Sequence, residues 1–171
     1  MNEKRPQAQQ IYETLRERIC LLDYAPGASL RERDLAVEFG VSRTPLRGVL
    51  QRLESDGLIR SRHGHGTFVT DIDLESLRDV YFLRMKLAEL IGASGPLDPT
   101  RDTMDALDEL AQRCRLATKP DLRVYAQINI GLHKQYQSVI RSRPLKEFSD
   151  RLFYQTARVW FVVLQPEDWN E

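Results

Sequence analysis

The chain has 171 residues, with 25 Lys or Arg against 25 Asp or Glu for a formal net charge of zero, and it is 42% hydrophobic and 29% charged. That composition excludes a disordered or membrane-embedded chain and leaves room for one ordinary domain or two small ones. No stretch approaches the roughly 18 apolar residues of a membrane span, and residues 1–6 lack the apolar core of a signal peptide, so a cytoplasmic address is expected. In chain order, Ile11, Leu15, Ile19 and Leu22 stripe one side of a first helix over residues 7–24, which Pro26 and Gly27 end. Ser29 is placed to cap a short second helix starting at Leu30, and Glu32 three positions on completes a capping box. Gly40 supplies the positive φ that closes this helix in a sharp turn.

Ser42 or Thr44 then caps a third helix, where Pro45 is tolerated because first-turn N–H groups lack intrahelical partners. Leu46, Val49, Leu50 and Leu53 give that helix its buried side and leave Arg43, Thr44 and Arg47 on the other, near its N-terminal end. Asp56 and Gly57 end it. Residues 58–62 and 67–70 read as two short strands around the glycine-spaced turn His63-Gly64-His65-Gly66. Three helices followed by such a hairpin make a winged helix-turn-helix.

From Asp71 the pattern changes to long helices. Val80, Leu83, Leu87, Leu90 and Ile91 stripe one over residues 74–94; Met104, Leu107, Leu110, Ala111 and Cys114 stripe the next over 100–117. Tyr125, Ile128, Leu132, Tyr136 and Ile140 mark a third. Leu145, Phe148, Leu152 and the apolar run from Trp160 to Leu164 mark a fourth. The fold expected is mainly α, with a winged helix-turn-helix over residues 1–72 and an antiparallel α-helical bundle over 73–171. Cys20 and Cys114 lie far apart within these helical patterns and read as reduced, partly buried thiols, with neither a disulfide nor a cysteine metal site.

Charge is sorted by face more than by total. Residues 1–70 hold 11 Lys or Arg and 9 Asp or Glu, a balance of +2, against 14 and 16 in the remainder. Arg31, Arg33, Arg43, Arg47, Arg60 and Arg62 all fall where a winged helix faces phosphate. A helix about 10–12 Å across fits the major groove and reaches base edges from its N-terminal residues. Arg43 and Arg47, four apart, suit guanine or phosphate; Ser42 and Thr44 lie beside them; and the wing tip at His63, Gly64 and Gly66 is slim enough for close approach to the minor groove.

This arrangement resembles the GntR family of bacterial transcription regulators. Leu30, Leu35, Ala36, Gly40 through Pro45, Arg47, Leu50, Leu53, Gly57, Leu58, Gly64, Gly66, Thr67 and Val69 meet that family's pattern over residues 8–70. The resemblance implies DNA contact from Arg33, Arg43, Arg47 and the wing at His63 and Gly64. One departure is Gly48-Val49, where the family usually has Glu-Ala. The rest of the chain resembles the C-terminal domain of the FadR-like (FCD-type) subfamily, which implies a bundle that dimerises and senses a small carboxylate, often through a divalent metal of the zinc type. Tyr81-Phe82-Leu83-Arg84 is similar to its opening signature, with Arg84 the implied effector anchor, and Asn129 with His133 is similar to its first metal-ligand pair. Helical i, i+4 spacing puts Asn129 and His133 on one face. Asn129 replaces the usual carboxylate, and no histidine follows His133, so the metal site is expected to be incomplete and the effector domain shortened.

The expected function is a dimeric regulator, a repressor on this reading, that binds an operator in double-stranded DNA and is tuned by a small carboxylate. The alternative is a winged-helix protein-interaction or assembly module without specific DNA binding. Arg84 has the competing role of interhelical ion pairing, His133 that of an ordinary half-buried helix residue. The apolar tail from Val159 to Leu164 covers either a partner surface or the core. No Ser/His/Asp grouping, phosphate loop or paired-carboxylate site stands out, so an enzyme is not expected.

Overall fold

The computed structural model describes residues 8–117, 121–159 and 161. The chain divides into two compact units, Met1–Ile72 and Asp73–Glu171.

In the first unit, α1 (Ala8–Cys20) packs on α3 (Arg43–Ser55), and α2 (Glu32–Glu38) crosses α3 ahead of it in sequence. Leu15, Ile19, Leu46, Leu53 and Leu58 are completely buried, and each contributes about 1.5–3 kcal/mol by leaving water. The α2–α3 turn closes at Gly40, whose φ of 63° an L side chain rarely adopts; the Val41 N–H donates to the Ala36 carbonyl across it at 3.0 Å. The wing is β2 (Ile59–Arg62) and β3 (Gly66–Val69), paired antiparallel from Ile59–Val69 to Arg62–Gly66.

Two expectations for this unit are corrected. Ser29 caps nothing: Ser29–Leu30 is a strand, β1, paired antiparallel with β3 through Ser29–Phe68 and Leu30–Thr67. The second helix starts at Glu32, with Arg31 at its N-cap position and no side-chain cap. Extended backbone at Ser29 wins because β3 would otherwise present an unpaired edge, and the two-stranded wing becomes a three-stranded sheet in the order β1-β3-β2. The first helix also ends at Cys20, short of Leu22, whose φ is 60°; Leu21 is buried in its place.

Missed from the sequence was the tie between the ends of α1 and α3. Tyr12 is buried, its hydroxyl donates to Asp56 Oδ2 at 2.6 Å, and the Arg52 guanidinium lies 3.7 Å from its ring centroid. Burial, reinforced by Asp56, pushes the phenol up to about 12.

The second unit is a helical bundle of α4 (Leu74–Ala93), α5 (Arg101–Leu116), α6 (Leu122–Ser138) and α7 (Arg143–Thr156), in which α4 packs on α7, α5 on α6 and α6 on α7. Each helix is capped by its own side chain: Asp73 accepts from the N–H groups of Glu75 and Ser76, Thr100 from that of Thr103, Asp121 from those of Arg123 and Val124, and Ser142 from that of Leu145. α5 approaches α6 closely at Gly131, where a Cβ would stand 2.7 Å from Leu110 Cδ2.

The predicted stripes are only partly buried. Ile91, Leu110, Ile128 and Ile140 face inward, while Leu83, Leu90, Met104, Leu132 and Phe148 are exposed; Leu77 and Phe153, outside the stripes, are buried as well. Cys20 is buried, whereas Cys114 is exposed, contrary to the expectation of a partly buried thiol. Of the apolar tail, Trp160 and Val162 to Leu164 lie outside the described residues. Among the described residues no helix is long and apolar enough to cross a membrane.

Candidate nucleic-acid interface and helical cavity

Four of the residues singled out for DNA, Ser42, Arg43, Thr44 and Arg47, gather at one end of α3. Arg43 and Thr44 occupy its first two positions and Arg47 lies one turn on; all three are exposed, while Leu46, Val49, Leu50 and Leu53 on the other side are at most 5% exposed. The amphipathic period therefore does two jobs. It fixes α3 in the core and leaves the arginines outside. Ser42 is the N-cap residue by backbone, but its exposed hydroxyl makes no capping hydrogen bond, so the helix N-terminus keeps donors for an anion.

Arg33 is exposed on α2. Arg47 does not stand alone: its Nε lies 3.0 Å from Glu32 Oε2, with the side chains 62% and 35% exposed. At the wing, His63, Gly64 and His65 form the turn and Gly66 opens β3, all exposed; the His65 N–H donates to the Arg62 carbonyl at 2.9 Å. Gly64, at φ 73°, makes that tight turn possible. Two more of the six arginines expected to face phosphate have partners within the first unit. Arg60 pairs with Asp71 at 2.7 Å, and the Arg62 guanidinium lies 5.6 Å from the Phe68 ring centroid.

Within the second unit, α4, α6 and α7 enclose an open cavity of about 400 Å³. Arg84, Asn129 and His133, all named from the sequence, line it together. Arg84 is half-buried; it donates to Thr156 Oγ1 at 2.5 Å, and its guanidinium carbon lies 5.2 Å from the Tyr81 ring centroid and 5.3 Å from that of Phe153. Burial pulls its pKa below the ordinary guanidinium value, with Tyr81 opposing. No carboxylate lies within ion-pair distance of it among the described residues, so the interhelical ion pair is not formed there.

His133 is 7% exposed and stacked on Phe153, with ring centroids 3.7 Å apart and planes 2° from parallel. Its Nε2 lies 3.0 Å from Asp150 Oδ1 and 3.1 Å from the Gln137 amide oxygen. That amide is oriented by accepting from Ser149 Oγ and the Asp150 N–H while donating to the Lys146 carbonyl. Two acceptors place the proton on Nε2, so that nitrogen has no lone pair to offer a metal. Among the described residues no three His, Cys, Asp or Glu side chains converge to hold a metal. Among the described residues, Asn129 and His133 Nε2 therefore do not form a divalent-metal site. Asp150 carried no sequence signal, because it meets His133 from another helix.

Residues 7–69 match the family described as bacterial regulatory proteins, gntR family. An uncharacterised HTH-type transcriptional regulator in an unstable DNA locus of Streptomyces ambofaciens is 41% identical over 91 residues, covering 52% of this chain and 39% of that protein. The HTH-type transcriptional repressor RspR of Escherichia coli is 37% identical over 87 residues, covering 51% and 38%. The matched segment thus spans about two fifths of these relatives' length. Among solved structures, a GntR transcriptional regulator from Rhodococcus sp. RHA1 superposes with a TM-score of 0.71 at 24% identity over 95% of this chain and 78% of its own, and E. coli McbR/YncC with 0.75 at 20% over 95% and 79%. At these identities the likeness is one of fold.

Proposed function

We propose that this chain, whose residues 7–69 are a GntR-family winged helix-turn-helix, is a sequence-specific DNA-binding transcription regulator that acts in the cytoplasm as a dimer and represses by occupying an operator. The observation that carries the reading is the exposed group Ser42, Arg43, Thr44 and Arg47 at the N-terminal end of α3, opposite a buried leucine and valine side. Side chains at that end of a recognition helix enter the major groove, while Arg33 on the preceding helix meets phosphate and the wing at His63, Gly64 and Gly66 meets the minor groove. Repression is supported by the name of the RspR relative. Dimerisation is supported by Phe82, Leu83 and Leu90, large apolar side chains each more than half exposed on α4, and by the need of a small reading head for two half-sites. Arg84 in its cavity is the anchor for a small carboxylate effector.

Binding to a cognate fragment is expected to weaken steeply with salt, and Arg43→Ala or Arg47→Ala to cost about 1–3 kcal/mol, read by fluorescence anisotropy. Unchanged affinity in both variants removes α3 as the recognition helix.

A further inference from the structure

The cavity of the second unit carries more information about its occupant than charge alone. Three observations bear on it. First, among the described residues Arg84 is the one Lys or Arg lining it, and no Asp or Glu lines it. A half-buried guanidinium without an acid partner is costly and is best compensated by an anion. A second carboxylate on the same ligand would find no second cation and would have to be desolvated unpaired.

Second, the walls are aromatic. Tyr81 and Phe153 flank the guanidinium, Tyr136 and the His133 ring lie beside them, and Met85 and Leu132 stand exposed at the margin. Rings of this kind favour a flat aryl body in offset or edge-to-face contact, and a methionine sulfur adds to it. The space, about 400 Å³ and open to solvent, has room for an aryl acid.

Third, the His133 nitrogen that faces Asp150 and Gln137 is not offered to a metal. His133 Nε2 donates to Asp150 and Gln137, and its ring is pinned face to face on Phe153.

We infer that the cavity binds a monocarboxylate on an aryl or arylalkyl body, directly through Arg84 and without a metal ion. This rests on the reading of the cavity as an effector site and deepens it. The carboxylate meets the guanidinium where Thr156 already holds it, and the aryl ring lies among Tyr81, Tyr136 and Phe153. Asn129 and Ser149 remain at the wall for a polar substituent on the ring.

The test is calorimetry on the full chain without DNA, with phenylacetate, its neutral isostere phenylacetamide, and citrate as probes, each with and without EDTA. Phenylacetate is expected to bind saturably, at least tenfold tighter than phenylacetamide or citrate, and equally well with EDTA. Arg84→Met is expected to weaken it tenfold or more. Phe153→Leu is expected to weaken phenylacetate more than cyclohexylacetate, provided the far-UV spectrum of each variant matches the parent. Tighter binding of citrate, equal binding of the amide, or loss of binding in EDTA overturns the inference and leaves an effector site of another kind. If none of the acids binds at millimolar concentration, the effector-site reading fails with it. The comparison among ligands on the unaltered protein stands even where a variant does not fold, and DNA binding is measured separately.

Discussion

Arg47 on α3 is held by Glu32 on α2, Nε to Oε2 at 3.0 Å. The pair is exposed and contributes little to stability, about 0–1 kcal/mol, but it favours one direction for a long side chain before any ligand arrives. Glu32→Ala frees Arg47 and removes a negative charge from the side proposed to face DNA. Affinity for non-specific duplex is expected to rise, while the ratio of cognate to non-specific affinity falls. Anisotropy titrations with two fragments at matched salt check this; an unchanged ratio means that Glu32 does not orient the arginine.

Gly48 lies on the exposed side of α3, four residues after Thr44, and a Cβ there would meet nothing within 4 Å. Gly48→Ala is therefore expected to stabilise the first unit by about 0.5–1 kcal/mol through helix propensity alone, seen as a higher melting temperature.

Gly131→Ala makes the same exchange inside α6 with the opposite outcome. The new methyl meets Leu110 at 2.7 Å, and Leu110 is itself buried. Overpacking of about 1–3 kcal/mol exceeds the roughly 1 kcal/mol gained in propensity, so thermal unfolding of the second unit is expected at lower temperature.

The buried Tyr12 phenol gives the first unit a basic limit. Its pKa rises from the ordinary 10.0 to about 12 on folding, through burial and the hydrogen bond to Asp56. Folding thus favours the protonated phenol. That contribution is complete below pH 10 and is lost as pH rises through 12. Chemical denaturation of the parent is expected to show stability falling over this window, and Tyr12→Phe is expected to flatten that fall. Equal slopes in both proteins would falsify the assignment to Tyr12.

The sequence disclosed the first unit better than the second, for a physical reason. Leu46, Val49, Leu50 and Leu53 announce a buried face because helical period and burial coincide within a few residues, and Gly40 marks its turn because its φ demands glycine. The pairing of Ser29 with Phe68 and of Tyr12 with Asp56 left no trace, since each joins residues far apart in the chain. In the bundle, apolar spacing named the helices but not which of their apolar residues stay exposed, so Leu83 and Leu90 read as core. Arg84, Asn129 and His133 were found by resemblance. That they line one cavity follows from the packing of α4, α6 and α7, whereas Asp150, Gln137 and Phe153, which determine what His133 can do, were invisible until the helices were assembled.

The central position of β3 in the sheet has a kinetic side. Its partners are β2, a tight turn away, and β1, which lies before the whole helix-turn-helix. The hairpin can close locally, but the outer pairing at Ser29–Leu30 must await the looping back of the intervening chain, an entropic delay that helices formed by neighbouring residues do not incur. During synthesis the strand at residues 29–30 emerges long before its partner exists. Until Phe68 has left the ribosome, the head is a set of helices without a docked wing, and its three-stranded sheet is the last part of it to form.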